Sequence, residues 1–389
     1  MPASVTDAEW DALVMATGRD HILQQSGWAT LKAATGWHAT RFTLAEDGDP
    51  VGVCQVLSRS LPLGLSVAYA PRGPLVDPAR LALALGALRR ALAVTRCASL
   101  LCDPEIPDAA DTVRSLAGGG VARSPIFVQP RRTLLMDLSL EPDVLLAAMR
   151  RKTRQYVHKA ERAGVVTEET SDIDRFLAVL RAVAARDRFG IHDRDYFERL
   201  LRAFPGRAHL LMARLGGEDD GALLVVRSGE RAWEMFGGWS GAHADARPFY
   251  LLKWRSLLLM RGLGVRRYDM WGLADRPLAT TSQSQTGRQA RHFQAVRNGV
   301  GDMRGSGGAG AAASDVDGLA VSDSADLGAA PSSGASSPMA QAPLAGVENF
   351  KLGFGGEVAE WIGALETPVR RALFPLWQLG ARRRLARSA

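Results

Sequence analysis

The sequence has 389 residues, a formal net charge of +7, 47% hydrophobic residues and 23% charged residues. A chain of this length and composition can bury a core in each of two domains, so a soluble globular protein is expected. The positive charge suits polyanionic partners, namely RNA, phosphorylated substrates or anionic lipid surfaces, and does not choose among them.

Targeting, membrane and metal signals are weak. The first residues carry acids and no basic run, and Arg89 and Arg90 interrupt the apolar stretch around residues 81–92, so neither export nor a membrane span is predicted. The three cysteines are odd in number and lack histidines at zinc-finger spacing. We therefore expect reduced, buried cysteines and no metal site.

The first part of the chain has the pattern of one α/β domain. Trp28, Leu31 and Lys32 fall at helical spacing, so the two apolar residues can face a core while Lys32 reaches past its edge. A buried strand later in this part ends at Asp103. The other predicted elements are helices over residues 7–17 and 78–95 and strands over residues 39–44, 51–57 and 65–70.

The middle of the chain repeats this order. It contains a long helix that carries many cations and stops at Gly164, which indicates either a solvated basic face or a surface for RNA. A strand–helix–strand unit over residues 231–273 then predicts a right-handed crossover, and ligands tend to lie where its strands end. The other predicted strands cover residues 133–138, 164–169, 208–215 and 222–228, and helices cover residues 172–186 and the segment after His192.

The composition changes near the end of the chain. Residues 301–345 are rich in Gly, Ala and Ser and are predicted to be a disordered insert, because they cannot bury enough apolar surface to offset the entropy of ordering. Aromatic residues then return, and the chain ends in an Arg-rich stretch that suits the negative end of a helix dipole. Contact of this end with a membrane surface is the alternative.

Four strings in order resemble the FemX/FemAB family of peptidoglycan bridge-forming aminoacyltransferases. They are LQQSGWATLKAATGW, LLAAMRRKTRQYVHKAERAGV, PFYLLKWRSLLLMRGLGVRRYDMWG and VENFKLGFGGEVAEWIG. The resemblance implies an α/β protein with two GNAT-like (acyl-CoA N-acyltransferase type) domains whose mixed sheets are flanked by helices. We assign residues 1–138, completed by 346–389, to the first domain and residues 139–300 to the second.

The resemblance also implies transfer of an amino acid from aminoacyl-tRNA to the amine of a UDP-linked or lipid-linked muramyl pentapeptide. The expected enzyme is a cytoplasmic monomer that contacts the inner membrane face peripherally and uses no cofactor. An aminoacyl ester is already activated, so the protein has to position two anionic substrates and stabilise an oxyanion. Cations at the site fit that task.

Five residues are candidates for these roles. By resemblance, Lys32 contacts the diphosphate of the precursor, Arg194 and Tyr196 share that contact from the second domain, and Lys351 lies against the tRNA 3′ end or the oxyanion. Asp103, at a strand end, is the carboxylate to propose as general base, although an Asp-Pro pair can simply end a strand. His192 is a further candidate base. The structural alternatives are that Lys32 is an ordinary surface lysine and that the glycines after Lys351 serve tight packing.

Two other functions stay open. A GNAT N-acyltransferase that uses acyl-CoA would have the same fold, but the formal matches to a pyrophosphate-binding loop lie in unsuitable sequence. A non-enzymatic RNA-binding protein is allowed by the charge, yet the sequence lacks repeats and an aromatic RNA-binding sheet.

Overall fold

The computed structural model describes residues 3–117, 119–124, 128–187, 190–274, 341–375 and 377–378. The helices are α1 (Asp7–Ala16), α2 (Ser26–Ala33), α3 (Leu81–Leu92), α4 (Ala110–Ala117), α5 (Pro142–Ala148), α6 (Arg151–Arg162), α7 (Ile173–Asp187), α8 (Arg194–Ala203), α9 (Pro248–Gly262) and α10 (Gln341–Leu352). The first strands are β1 (His38–Glu46), β2 (Asp49–Ser60), β3 (Ser66–Ala70), β4 (Leu75–Val76), β5 (Cys97–Cys102), β6 (Ala122–Arg123) and β7 (Arg132–Asp137). The remaining strands are β8 (Val166–Thr170), β9 (Ala208–Leu215), β10 (Glu218–Ser228), β11 (Arg231–Trp239), β12 (Arg267–Gly272), β13 (Glu357–Glu360) and β14 (Leu365–Pro368).

The first sheet has the strand order β1-β2-β3-β5-β14-β6, with β4 paired to β2. Its one parallel pairing among these strands, β3 with β5, is joined by the crossover helix α3. Leu81, Leu85 and Leu88 repeat at helical spacing on α3 and are buried against this sheet. All three cysteines are buried and unpaired, as the sequence predicts.

The second sheet has the order β13-β7-β12-β11-β10-β9-β8. Strands β11 and β12 are parallel and are joined by α9, which is buried on nearly all sides. One face of the sheet packs on α7, and the opposite face packs on α6, α9 and α10. The predicted α/β class with two mixed sheets flanked by helices is confirmed.

In the structure the boundary between the two units lies before β7, whereas the sequence predicted it after residue 138. Strand β7 pairs with β12 and β13, so it belongs to the second sheet, and Leu134 and Met136 are buried in that sheet's core. The C-terminal segment is divided as well, because α10 and β13 join the second sheet while β14 joins the first. Alternation of apolar residues identifies a strand, but it does not say which sheet the strand enters.

The predicted disordered insert lies mostly outside the described residues. Residues 301–340 are not described, but helix α10 starts at Gln341, inside the stretch predicted as insert. The Arg-rich end after residue 378 also lies outside the described residues. Within the part of the chain that the structure describes, no helix is both long enough and apolar enough to cross a bilayer.

The two sheets share one core. Trp28 and Leu31 of α2 are buried in the same cluster as Phe197 and Leu200 of α8. Gly27 allows this contact, because a Cβ there would lie 2.4 Å from the carbonyl oxygen of Ala203. The first α/β unit is therefore held directly against the second, and side chains from both can form one site.

Candidate active site between and beneath the two sheets

Strands β11 and β12 separate along their length. They pair only at Arg231–Arg267, Ala232–Tyr268 and Trp233–Asp269, although both strands continue beyond these residues. Trp271 has a φ of 61°, which is rare for a bulky residue, and its N–H donates to the Asp269 carboxylate at 2.7 Å. The opened carboxyl ends of two parallel strands are a usual place for a ligand in an α/β sheet.

Lys351 reaches the end of β12 from the last turn of α10. Its side chain is buried, and its Nζ donates to the carbonyl of Gly272 at 2.8 Å and to that of Trp271 at 3.4 Å. Burial, followed by the nearby charge of Lys253, lowers the pKa of Lys351 to about 8. The structure thus holds a buried ammonium group, bound by neutral carbonyls, beside the opened strands.

A second buried lysine lies beside this site. Lys253 of α9 forms an ion pair with Glu234 of β11, and Tyr268 donates to the same carboxylate at 3.1 Å. Ser256 is 3.0 Å from the Tyr268 hydroxyl. Burial lowers the pKa of Lys253, while Glu234 opposes that change. The Nζ of Lys253 also lies 5.7 Å from the centre of the Phe350 ring. Because Phe350 directly precedes Lys351, the Lys253–Glu234 pair packs next to the segment that carries Lys351.

Asp103 is a buried carboxylate whose hydrogen bonds come from three donors. It accepts from the Tyr69 hydroxyl at 2.7 Å, the Arg72 N–H at 2.7 Å and the Gln129 N–H at 3.2 Å. Burial raises the pKa of Asp103, and the charge of Arg72 opposes the rise. These contacts order the loop that follows β3, where Arg72 has a positive φ of 52°. The catalytic role of Asp103 stays a prediction.

Arg72 connects the Asp103 region with the end of β12. Its guanidinium lies 5.8 Å from the centre of the Trp271 ring, and Trp271 is the residue whose carbonyl accepts from Lys351. Asp103 therefore holds the backbone of Arg72, and the side chain of Arg72 packs on Trp271 beside Lys351. The structure brings the two predicted catalytic residues to opposite sides of one Arg72–Trp271 contact.

Lys32 and Tyr196 come together from the two α/β units. The buried Nζ of Lys32 lies 4.8 Å from the centre of the Trp28 ring and 5.8 Å from that of Tyr196. His192 stacks on Tyr196, with ring centroids 3.7 Å apart. A cation packed among aromatic rings at a domain junction can bind an anionic ligand with little loss of side-chain freedom.

The structure does not bring Arg194 into this cluster. Its exposed side chain lies on the outer side of α8, where it pairs with Asp174 at 3.0 Å and with Glu198. Tyr196, two residues later, points inward instead, because residues two apart on a helix do not share a face. The role of Arg194 in substrate binding stays a prediction.

A buried ionic network joins the two units at the starts of β11 and β12. Glu105 accepts from Arg231 at 2.7 Å, and His21 Nε2 lies 3.5 Å from the same carboxylate. His21 Nδ1 accepts from the Leu23 N–H, so the ring proton lies on Nε2, toward Glu105. Burial lowers the pKa of His21. Burial alone would raise the pKa of Glu105, but Arg231, His21 and Arg72 hold it at about 2.

Two families match separate parts of the chain. The FemAB family matches residues 5–115, which contain strands β1 to β5, and the acetyltransferase (GNAT) domain matches residues 147–277, which contain β8 to β12. The first part of the chain thus matches the FemAB family, which is the family that the sequence resembles. Both α/β units are of the GNAT type, in agreement with the resemblance seen in the sequence.

Relatives of the chain agree with this family match. The lipid II:glycine glycyltransferase of Staphylococcus aureus (strain MRSA252) is 27% identical over 233 residues, 56% of this chain and 55% of that protein. The chain thus spans about half the length of the curated relatives it matches. The crystal structure of FemX superposes with a TM-score of 0.71 at 18% identity over 98% of this chain and all of that one. The C-terminal domain of a lysylphosphatidylglycerol synthetase from Agrobacterium fabrum has a TM-score of 0.50 at 13% identity, covering 97% of each chain. These two likenesses support the fold alone.

The sequence did not point to the Lys253–Glu234 pair or to Arg72. A signal for Lys253 exists, because it lies at helical spacing from the apolar residues Tyr250 and Leu257 on a helix without a polar face. Arg72 has no such signal, since its place depends on the loop that Asp103 orders. No group of three or more His, Cys, Asp or Glu side chains among the described residues has the geometry of a metal site.

Proposed function

We propose that this chain is an aminoacyltransferase that moves an amino acid from aminoacyl-tRNA to the amine of a peptidoglycan precursor stem peptide. The amide formed would be the first link, or a later link, of the interpeptide bridge in the cell wall. One observation carries the proposal: a buried lysine ammonium group lies at the opened ends of two parallel strands, in a chain related to a glycyltransferase named for lipid II.

The residues suit the chemistry of acyl transfer to an amine. The acceptor amine attacks the ester carbonyl of the aminoacyl-tRNA and forms a carbon–nitrogen bond, and the carbonyl oxygen takes up negative charge. The Lys351 ammonium group, now bound to neutral carbonyls, can stabilise such an oxyanion without a change of its own position. Collapse of the intermediate expels the ribose oxygen of the tRNA.

The proton lost by the amine finally goes to that ribose oxygen. It passes either within the substrates or through a carboxylate, for which Asp103 is the candidate. The acceptor's diphosphate is proposed to bind at Lys32, whose ammonium group lies beside Tyr196 and Trp28. The acceptor is UDP-linked or lipid-linked, and a lipid-linked acceptor requires peripheral contact of the cytoplasmic monomer with the inner membrane face.

The test is a transfer assay with purified protein, a pool of charged tRNAs carrying labelled amino acids, and either a UDP-linked or a lipid-linked muramyl pentapeptide. We expect an acceptor product heavier by one amino acid residue, detected by mass. Lys351→Ala and Lys32→Ala should abolish or strongly reduce it. Arg90→Ala, which removes an exposed cation on α3, is the matched control and should retain transfer.

The opposite result is equally specific. No product from any charged tRNA, together with acyl transfer from a CoA thioester to an amine, would show a CoA-dependent GNAT N-acyltransferase instead. RNA binding with steep salt dependence and no transfer to any acceptor would favour a non-enzymatic RNA-binding protein.

A further inference from the structure

Strand β12 contains a β-bulge at its carboxyl end. The register of β12 against β7 shifts between Asp269 and Gly272, so that two residues of β12 lie opposite one residue of β7. The pairing of β12 with β11 stops at Asp269, where the bulge begins. Such bulges redirect the local backbone and are frequent next to active sites. The separation of β11 from β12 therefore coincides with a change in the direction of the β12 backbone.

The bulge turns two successive carbonyl groups toward Lys351. Trp271, with its φ of 61°, presents its carbonyl oxygen 3.4 Å from the Nζ of Lys351, and Gly272 presents its own at 2.8 Å. Successive residues of a regular strand alternate in direction, so one ammonium group could not bind two neighbouring carbonyls of such a strand. The hydrogen bonds of the Lys351 side chain thus depend on the bulge.

Asp269 holds the bulge in this conformation. Its Oδ1 accepts two hydrogen bonds, one from the Trp271 N–H at 2.7 Å and one from the Thr133 hydroxyl of β7. A left-handed backbone is costly for a residue as large as tryptophan and persists only where the surrounding contacts impose it. The Asp269 carboxylate supplies such contacts, because it ties the bulged residue to its own strand and to β7. Trp271 is thereby bound by Asp269 at its N–H and by Lys351 at its carbonyl.

The second carboxylate oxygen of Asp269 has no part in the bulge. Oδ2 makes no hydrogen bond with any residue in the part of the chain that the structure describes. An asparagine at this position can therefore keep both hydrogen bonds at Oδ1 and place its amide nitrogen where Oδ2 now lies. An alanine cannot keep either bond. The charge of Asp269 and its hydrogen bonds can thus be removed separately.

Asp269 also acts on Lys351 through its charge. The charged side chains that act on the Lys351 amine are Lys253 of α9, Glu234 of β11 and Asp269 of β12. Burial and Lys253 lower the pKa of Lys351 to about 8, whereas Glu234 and Asp269 oppose that change. Burial, with the nearby Glu105 carboxylate, raises the pKa of Asp269 to about 6, although the charge of Arg72 opposes the rise. Asp269 is therefore ionised at the pH at which Lys351 titrates.

We propose that Asp269 is a positioning residue for Lys351, because it holds the bulge whose two carbonyls bind and orient the Lys351 ammonium group. Without Asp269, the Trp271 peptide would lose the contacts that impose its left-handed conformation, and its carbonyl would turn away from Lys351. The consequence for transfer rests on the proposed function, in which this ammonium group stabilises the oxyanion. The consequence for Lys351 itself needs no substrate, so the two can fail separately.

The substrate-free test is NMR of the full-length protein labelled with carbon-13 at lysine Cε and titrated on both sides of about pH 8. The chain has five lysines, namely Lys32, Lys152, Lys159, Lys253 and Lys351, and Lys351→Arg identifies the signal of interest. We expect the titration midpoint of Lys351 to fall from the wild type to Asp269→Asn, because a negative charge is lost. It should fall further in Asp269→Ala, because the ammonium form also loses its oriented carbonyls. An Asp269→Ala midpoint equal to that of the wild type or of Asp269→Asn would overturn the proposal.

Asp137→Asn is the matched control. Asp137 of β7 has a similar local geometry, since it accepts from the N–H and the hydroxyl of Ser139, two residues later, at 3.0 Å and 2.6 Å. It is exposed and is not among the charged groups that act on Lys351. The Lys351 midpoint in Asp137→Asn should equal that of the wild type. A fall as large as in Asp269→Asn would overturn the proposal.

The transfer assay gives the second readout, at a pH at which the NMR signal shows Lys351 protonated in every variant. Asp269→Asn should keep the single-turnover rate within about threefold of the wild type, and Asp269→Ala should lower it about hundredfold, because the ammonium group is displaced. The Kd of the acceptor should not change in either variant. Equal losses of rate in both variants would overturn the proposal, since the bulge would then not matter.

A further variant covers a failure of Asp269→Ala to fold. Thr133→Val removes one of the two hydrogen bonds to Asp269 and leaves the charge, so it should lower both the Lys351 midpoint and the transfer rate. Wild-type values of both in a folded Thr133→Val protein would overturn the proposal. Absence of transfer by the wild type would contradict the proposed function, and the NMR titration would still decide whether Asp269 positions Lys351.

Discussion

The ammonium group of Lys351 donates a 2.8 Å hydrogen bond to the carbonyl of Gly272, which lies 79 residues earlier in the chain. Its hydrogen-bond partners are neutral carbonyls and not a carboxylate, so they do not neutralise the ammonium charge. Burial and the charge of Lys253 therefore favour the neutral amine, and the pKa is lowered to about 8. The same features leave the ammonium form able to stabilise a new negative charge.

The first prediction concerns pH. The protonated fraction of Lys351 falls as pH rises through about 8, which lowers the single-turnover rate of transfer. The neutral fraction of an acceptor side-chain amine, with a pKa of about 10.4, rises over the same range and raises the rate. Lys351→Arg keeps a cation that does not titrate, so the ratio of the wild-type rate to the Lys351→Arg rate should fall with a midpoint near pH 8. A ratio that stays constant up to about pH 9.5 would contradict the assigned role.

The second prediction concerns the buried Lys253–Glu234 pair. Lys253→Met leaves the Glu234 carboxylate buried without a cation and should lower the free energy of unfolding by about 3–5 kcal/mol. The double variant Lys253→Met with Glu234→Gln removes both charges, so it should be less destabilised than the sum of the single changes. Urea unfolding of all four proteins gives the coupling energy, which we expect to be about 1–3 kcal/mol. Strict additivity would show that the pair is not coupled.

The elements of the fold were largely predictable from the sequence. Apolar spacing identified the strand–helix–strand unit around α9, and the structure confirms it at Arg231–Trp239, Pro248–Gly262 and Arg267–Gly272. The allocation of β7 and β13 was not predictable, since their partners are chosen by contacts between segments that are distant in sequence. Alternation fixes which face of a strand is buried, and leaves its neighbours open.

The site was predictable in part. The family resemblance assigned Lys32 and Tyr196 to one binding site, and in the structure the Nζ of Lys32 lies 5.8 Å from the centre of the Tyr196 ring. Arg194 was predicted from the same string as Tyr196, but it lies two residues earlier on α8 and therefore faces solvent, where it pairs with Asp174 and Glu198. Arg72 was missed, because only the hydrogen bond from its N–H to Asp103 shows why that loop is ordered.

The third prediction separates two roles of Asp103. The side chain of Asp103→Asn has one acceptor oxygen for three donors, so at least one donor is left unpaired and unfolding should become easier by about 1–3 kcal/mol. Tyr69→Phe removes one donor only and should cost about 1 kcal/mol. With both variants folded, we expect the transfer rate of Asp103→Asn to stay within about tenfold of wild type. A loss of about hundredfold or more would support Asp103 as general base.

The fourth prediction compares two cations of α2 and α8. Lys32→Met removes a buried ammonium group between Trp28 and Tyr196, and the Kd of the acceptor should rise about ten- to hundredfold. Arg194→Gln removes the same charge from an exposed, already paired position and should change the Kd by less than about threefold. The two values are measured with the same acceptor and without aminoacyl-tRNA. A comparable loss in both variants would restore Arg194 to the binding site.

The fifth prediction concerns the acid stability of the junction between the two units. The pKa of Glu105 is held at about 2 in the folded protein, against 4.5 for an ordinary glutamate, so the folded state binds fewer protons than the unfolded state between these values. The stabilisation by Glu105 is therefore fully present above about pH 4.5 and is lost as pH falls toward 2. Since one pKa unit corresponds to about 1.4 kcal/mol, Glu105→Gln should lower the free energy of unfolding at pH 7 by about 3 kcal/mol.

Urea unfolding at several pH values between 7 and 3 provides the measurement for Glu105. The wild type should lose stability more steeply below pH 4.5 than Glu105→Gln does, so the two curves should converge in acid. Glu230→Gln is the matched control, because Glu230 pairs with Arg266 on the surface and such pairs contribute little. Parallel curves for the wild type and Glu105→Gln would show that Arg231 and His21 do not depress the pKa of this carboxyl, and that the junction is held by its apolar contacts alone.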